Sequence, residues 1–171
     1  GTRLASDGRA IIPVVSDNQI ISLQFIDDEG TKRFLKGGKT QGGYFKIEGQ
    51  NAKKVFIAEG YATAASIHEA TGCPVYACFS CHNLLDGVMQ AKKEHPESLI
   101  IVAGEHGHGS NQAEQAADAV SGYCVFTPDE ECTDFNDYHK KHGIDAVAKE
   151  LNGNARQTYE KKPERLPQDV P

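Results

Sequence analysis

Residues 54–72 read KVFIAEGYATAASIHEATG, and the order of apolar residues within them decides the fold. KVFIA (54–58) is an apolar run of strand length. After Glu59 and Gly60 the period changes, so that Ala64, Ile67, Ala70 and Thr71 share one helical face, and Gly72 supplies the stop. A buried strand that passes directly into a helix is half of a βαβ unit. The alternation then repeats. PVYACF (74–79) is a second strand, and Asn83 is placed to cap a helix with the stripe Leu84, Leu85, Val88 and Met89. SLIIVA (98–103) is a third. It precedes a glycine-rich turn and a helix with Ala113, Ala116, Ala117 and Val120 inward, where Asn111 and Glu114 are spaced as a capping box. YCVFT (123–127) is a fourth, and GIDAVAKELNG (143–153) closes with Ile144, Val147 and Leu151 at helical spacing before Gly153. Four strands alternating with helices predict an α/β fold with a doubly wound parallel sheet.

Upstream the pattern is different. AIIPVV, IISLQFI, KRFLK and YFKI, between residues 10 and 47, are short β-branched and aromatic runs separated by Asp17-Asn18, Asp28-Glu29-Gly30 and Gly37-Gly38. They predict a small antiparallel β unit, giving three parts: a β-rich subdomain at 1–52, an α/β domain at 53–153 and a polar linker at 154–171. The linker reading follows from NARQTYEKKPERLPQDVP, which is mostly polar and has two prolines in its last six residues.

A chain of 171 residues, 39% hydrophobic and 25% charged, has the composition of an ordinary globular protein, and no apolar run approaches bilayer length. The chain starts Gly1-Thr2-Arg3 with no basic-then-apolar leader, so export is not indicated, a cytoplasmic location is expected, and excision from a longer protein is one reading. Five cysteines, Cys73, Cys78, Cys81, Cys124 and Cys132, are an odd number and are bunched, which fits reduced thiols. Charge is unevenly placed. Residues 31–54 hold seven Lys or Arg against Glu48 alone, so this segment is +6 and the remainder −12 within a net −6. A basic arm on an acidic body suits an enzyme that meets a polyanion with a metal; a solvated basic hairpin is the plain alternative. Arg33, Lys36, Lys39 and Lys46 beside Phe34, Tyr44 and Phe45 offer cations for phosphates and rings for bases, or else a charged edge over a hairpin core.

In a doubly wound sheet ligands bind beyond the carboxyl ends of the strands. Glu59 ends strand one, residues 78–82 end strand two, residues 104–109 end strand three and residues 128–137 end strand four. A carboxylate at a buried strand end is costly unless it has a partner or a task. Glu59 is therefore a candidate general acid or base, or a helix-capping residue. Asp129, Glu130, Glu131, Asp134 and Asp137 crowd nine residues, as oxygen-seeking cations require, although Asp134 can simply cap the next helix.

The segments AEGYATAASIHEATGCPV, NLL, IIVAGEHGHG and TDFNDYH together resemble the Toprim domain of primases carried by plasmids, phages and other mobile elements. IIPVVSDNQIISLQFIDDEGTKRFLKGGKTQGGYFKI resembles the β-rich segment before it, so the likeness covers residues 8–152. The resemblance implies a DNA primase module that joins ribonucleotides on single-stranded DNA with magnesium or manganese, in company with a replicative helicase. It implies Glu59 as the catalytic acid or base, and Glu105, Asp134 and Asp137 as metal residues. Arg33, Lys36, Lys39, Tyr44 and Lys46 are the candidates for nucleic acid.

The family pattern is also broken here. Where the resemblance implies Asp-x-Asp after strand three, this chain has Glu105-His106-Gly107, and after strand two it has Ser80-Cys81-His82. Glutamate moves an oxygen outward by one methylene and glycine offers none, which weakens a magnesium site. The other reading is thus a nucleic-acid-binding module without metal chemistry. Cys78, Cys81, His82, His106 and His108 form a possible soft zinc site, and Cys78-x-x-Cys81-His82 has the spacing of a haem attachment motif. Covalent haem is set aside, since it needs export and a pocket where a sheet lies; buried inert thiols are the plain reading.

Overall fold

The computed structural model describes residues 1–153; the expected linker at 154–171 lies outside them. The first sheet is antiparallel, with β1 (Arg3–Leu4), β2 (Ala10–Ser16), β3 (Gln19–Ile26) and β4 (Lys32–Phe34) in that order. Asp17 and Asn18 both adopt positive φ, 48° and 61°, which is the two-residue turn that matches the twist of a hairpin. β5 (Phe45–Ile47) departs from expectation. YFKI was read as part of this β unit, yet Phe45–Ile47 pairs antiparallel with a strand of the second sheet, and only Tyr44 bridges back, exchanging two backbone hydrogen bonds with Val15.

The second sheet has the order β5-β7-β6-β8-β9, with β6 (Lys54–Ala58), β7 (Val75–Ala77), β8 (Leu99–Ala103) and β9 (Tyr123–Val125) all parallel. Side chains alternate across a strand, so β6 sends Val55 and Ile57 to one face and Phe56 and Ala58 to the other. The first pair packs with Val88 and Ala91 of α2 (Leu84–Glu94) and with Ala113, Ala116 and Ala117 of α3 (Ser110–Ala119). The second packs with Ala64 and Ile67 of α1 (Tyr61–Thr71), Phe135 of α4 (Phe135–His142), and Val147 and Leu151 of α5 (Ile144–Gly153). Full burial of Phe56, Ile57, Ile67, Val88 and Ile101 accounts for the strand and helix periodicities, each such side chain contributing about 1.5–3 kcal/mol of transfer free energy.

Three local readings change. Leu85 and Met89 are 51% and 55% exposed, so the stripe of α2 that meets the sheet is Leu84, Val88 and Ala91. α3 starts two residues earlier than a capping box would need: Gly109 is its N-cap, in a left-handed conformation, and Asn111 lies inside the helix. Asn83 does precede α2 but makes no side-chain cap, being held by other bonds described below.

A carboxylate rim at the switch point of the sheet

β6 and β8 are adjacent, yet α1 leaves β6 for one face and α3 leaves β8 for the other. The crevice that opens where neighbouring connections diverge is where open α/β sheets hold ligands. Glu59 and Glu105 stand there, one and two residues past the ends of β6 and β8.

Both are half-buried, and both titrate high. Burial pushes Glu59 up, while the Cys81 amide and the charges of His108, Lys32 and His82 offset part of the rise. Glu105 is pushed up to about 7, first by burial, then by Glu59 and Asp134, with Lys32 opposing and Asp137 adding to it. Glu59, Asp134 and Asp137, from beyond the ends of β6 and β9, thus all act on Glu105 by charge, and Lys32 of β4 opposes them. The Lys32 Nζ lies 3.7 Å from where a Cβ on Gly60 would stand. Lys32 is a site residue that the sequence reading counted only as charge, because nothing local indicates that an edge strand of the other sheet arches over this rim.

The start of α3 closes the crevice. A Cβ on Gly109 would come within 3.0 Å of the Cys81 Cβ and 3.6 Å of the Glu59 Oε2, and its φ of 99° disfavours any side chain, so glycine is required where this helix end meets the carboxylate. Phe79 ends the β7 connection at φ 65°, and its amide donates to the Glu59 carbonyl at 2.7 Å.

Asp134 is committed twice. Its Oδ1 accepts from the Asn136 and Asp137 amides as the N-cap of α4, and its Oδ2 accepts from Thr63 at 2.8 Å. Its charge reaches Glu105, but its oxygens are taken. Asp137 is partly exposed and lies 3.8 Å from Lys140. Among the described residues, the rim carboxylates do not close into three donors within 4.8 Å. Their chemistry nonetheless fits a hard divalent cation, which seeks oxygen and would relieve the repulsion that raises Glu105.

The soft-metal cluster does not assemble. Cys78 is fully buried against the α2 and α3 face, where desolvation pushes its thiol up, and His106 turns away to bond the Thr127 carbonyl at 3.0 Å and lie against Phe126. Only His82 and His108 of the five act on Glu59 by charge. Asp129, Cys132 and His142 do converge, but Asp129 is already paired with His142 at 2.7 Å and Lys141 at 2.9 Å, which hold its carboxyl well below the usual range.

The nucleic-acid candidates divide. Arg33, Lys36 and Lys39 are exposed along and after β4. Tyr44 is only 8% exposed, its ring 5.5 Å from that of Tyr76, so it belongs to the core. Lys46 is bound to Glu94 at 3.0 Å and Glu48 at 3.1 Å over the Tyr76 ring, so its charge is internally spent. Asn83, passed over as a cap, ties the parts together: its amide nitrogen donates to the Thr40 and Cys78 carbonyls and its oxygen accepts from Gly42.

Residues 54–145 match the Toprim domain family. The chain belongs to the Toprim family. Two proteins of Escherichia coli, both named DNA primase TraC, are similar to this Toprim chain. One is 35% identical over 119 residues, 61% of this chain and 8% of the relative, and the other is 30% identical over 125 residues, 65% and 12% respectively. The Toprim chain thus spans about a tenth of the length of the curated relatives it matches. Among solved structures, the primase fragment of the bacteriophage T7 primase-helicase protein superposes with a TM-score of 0.63 over 88% of this chain and 66% of that one, at 16% identity. The RNA polymerase domain of Mycobacterium tuberculosis primase DnaG gives 0.56 over 88% and 59%, at 15% identity. These likenesses show the fold. Among the described residues no helix is long and apolar enough to cross a membrane.

Proposed function

We propose that this Toprim domain is the catalytic module of a DNA primase, joining ribonucleotides on a single-stranded template. The observation that carries the reading is the meeting of Glu59 and Glu105 at the switch point, where burial and neighbouring carboxylates push Glu105 up to about 7. Glu59 and Glu105 would hold a magnesium or manganese ion, with Asp134 and Asp137 contributing charge. When bound, such an ion neutralises and orients phosphoryl oxygens. Glu59, half-buried and with its carboxyl raised by burial, is placed to take a proton from an attacking hydroxyl. Lys32 is placed to counter phosphate charge beside it, and Arg33, Lys36 and Lys39 extend a cationic edge along which a template strand can lie. The similarity to the DNA primases TraC supports a primase, and the T7 neighbour, a fragment of a primase-helicase protein, supports a helicase as partner.

The test is primer synthesis by Glu59→Gln. The expected loss is about 10²–10⁴-fold with single-strand binding intact, the range for removal of a general base. Undiminished synthesis would remove Glu59 from the mechanism.

A second reading keeps the sheet and the basic edge but not the metal. It is favoured by Gly107, which offers no ligand, and by the open spacing of the rim carboxylates. Single-strand binding that chelator leaves unchanged, together with no metal-dependent activity, would select it.

A further inference from the structure

Phe79 is the bulky residue among the described positive-φ positions outside glycine; the others are Asp17, Asn18 and Ser121, which suit turns. Glycine or asparagine would make the same turn at less cost, and the turn's hydrogen bond to the Glu59 carbonyl uses only the Phe79 backbone. The ring is therefore what this position retains. It meets Phe34 edge-on, with centroids 6.0 Å apart and planes at 84°, and Phe34 is itself 40% exposed. Lys32 and Phe34 are two residues apart on β4 and so share one face, roughly 6–7 Å apart along the strand. The Lys32 ammonium acts on Glu59 and Glu105 from that same face.

We infer that Phe34, braced by Phe79, is a stacking platform for one nucleobase, with Lys32 taking the phosphate of the same nucleotide beside Glu59. The inference rests on the nucleic-acid side of the proposed function and specifies where a base sits. An exposed aromatic face with a cation on the same strand face accepts any base, because every base has a π face and stacking does not read the hydrogen-bonding edge. Phe79 supplies a rigid edge that holds the Phe34 ring in place, and its strained backbone locks that edge to the strand end carrying Glu59.

The test uses the 171-residue chain and a short single-stranded oligonucleotide carrying 2-aminopurine, in chelator, so that metal binding and catalysis do not enter. The fluorophore is expected to be quenched on binding. Phe34→Ala should weaken binding about tenfold and abolish the quench, and Phe34→Tyr should restore both. Phe79→Gly should lose the quench while its melting temperature stays level or rises, a combination that a merely structural role would not give. Competition by a ribonucleoside triphosphate would assign the platform to a free nucleotide, and lack of competition to a strand; either supports it. Native binding and quenching in both Phe34→Ala and Phe79→Gly would overturn it. A native chain that gives the quench but makes no primer when magnesium or manganese is supplied would instead fault the catalytic reading alone.

Discussion

At the scale of the residue, Glu105 carries the sharpest consequence. Its carboxyl is raised to about 7 from an ordinary value near 4.5, so between those values the native state holds a proton that the unfolded chain does not. Stability referable to Glu105 is fully present below pH 4.5 and is lost as pH rises through 7. Glu105→Gln removes the charge that burial and Glu59 oppose. It should therefore raise the melting temperature at pH 8 by a few degrees, on the order of 1–2 kcal/mol after discounting for partial exposure, and change nothing at pH 4. Thermal melts of both proteins at the two pH values check this; an equal effect at both would mean that the Glu105 charge is not strained. Asp134 serves the fold through its hydrogen bonds. With two amides and Thr63 on its oxygens, Asp134→Ala should cost about 1–2 kcal/mol in a denaturant melt, whether or not any metal is present.

At the scale of the element, Asn83 is the joint between the loop after β4 and the strand ends. Asn83→Ala leaves the Gly42 amide, the part-buried Thr40 carbonyl and the buried Cys78 carbonyl without this partner, and should lower stability by about 1–3 kcal/mol; a change below about 0.5 kcal/mol would show that water replaces it. Sequence alone places Asn83 at a helix start, which is true, and as a cap, which is not, since the competing bonds come from residues about forty positions away. The four parallel strands and their helices were readable because each buries a periodic face. The strand YFKI misled because three residues carry no record of which sheet they join, and Phe45–Ile47 finds its partner in β7. Glu59 was readable as the carboxylate at a buried strand end. Lys32 and Phe79 were not: the first comes from another sheet, and the second is marked by a backbone angle that composition does not reveal.

At the scale of the whole molecule, Lys32 on the basic edge of the first sheet acts on the acidic rim of the second, and the proposed function has a polyanion meet cations along β4 before it reaches Glu59. Replacing Arg33, Lys36 and Lys39 together by Ala should weaken single-strand binding and flatten its salt dependence by about two units of slope, at roughly 0.7 per phosphate contact. An unchanged slope would place the strand elsewhere. Lys46→Ala, whose charge is already paired with Glu94, should leave the slope unaltered. The central claim, that the rim holds a divalent ion, is tested most directly by calorimetric titration of metal-free protein with manganese and magnesium, repeated on Glu105→Ala. Saturable binding of one ion, lost in the variant, is the predicted result. No binding, or binding that survives Glu105→Ala, would contradict it and leave a nucleic-acid-binding sheet without a metal centre.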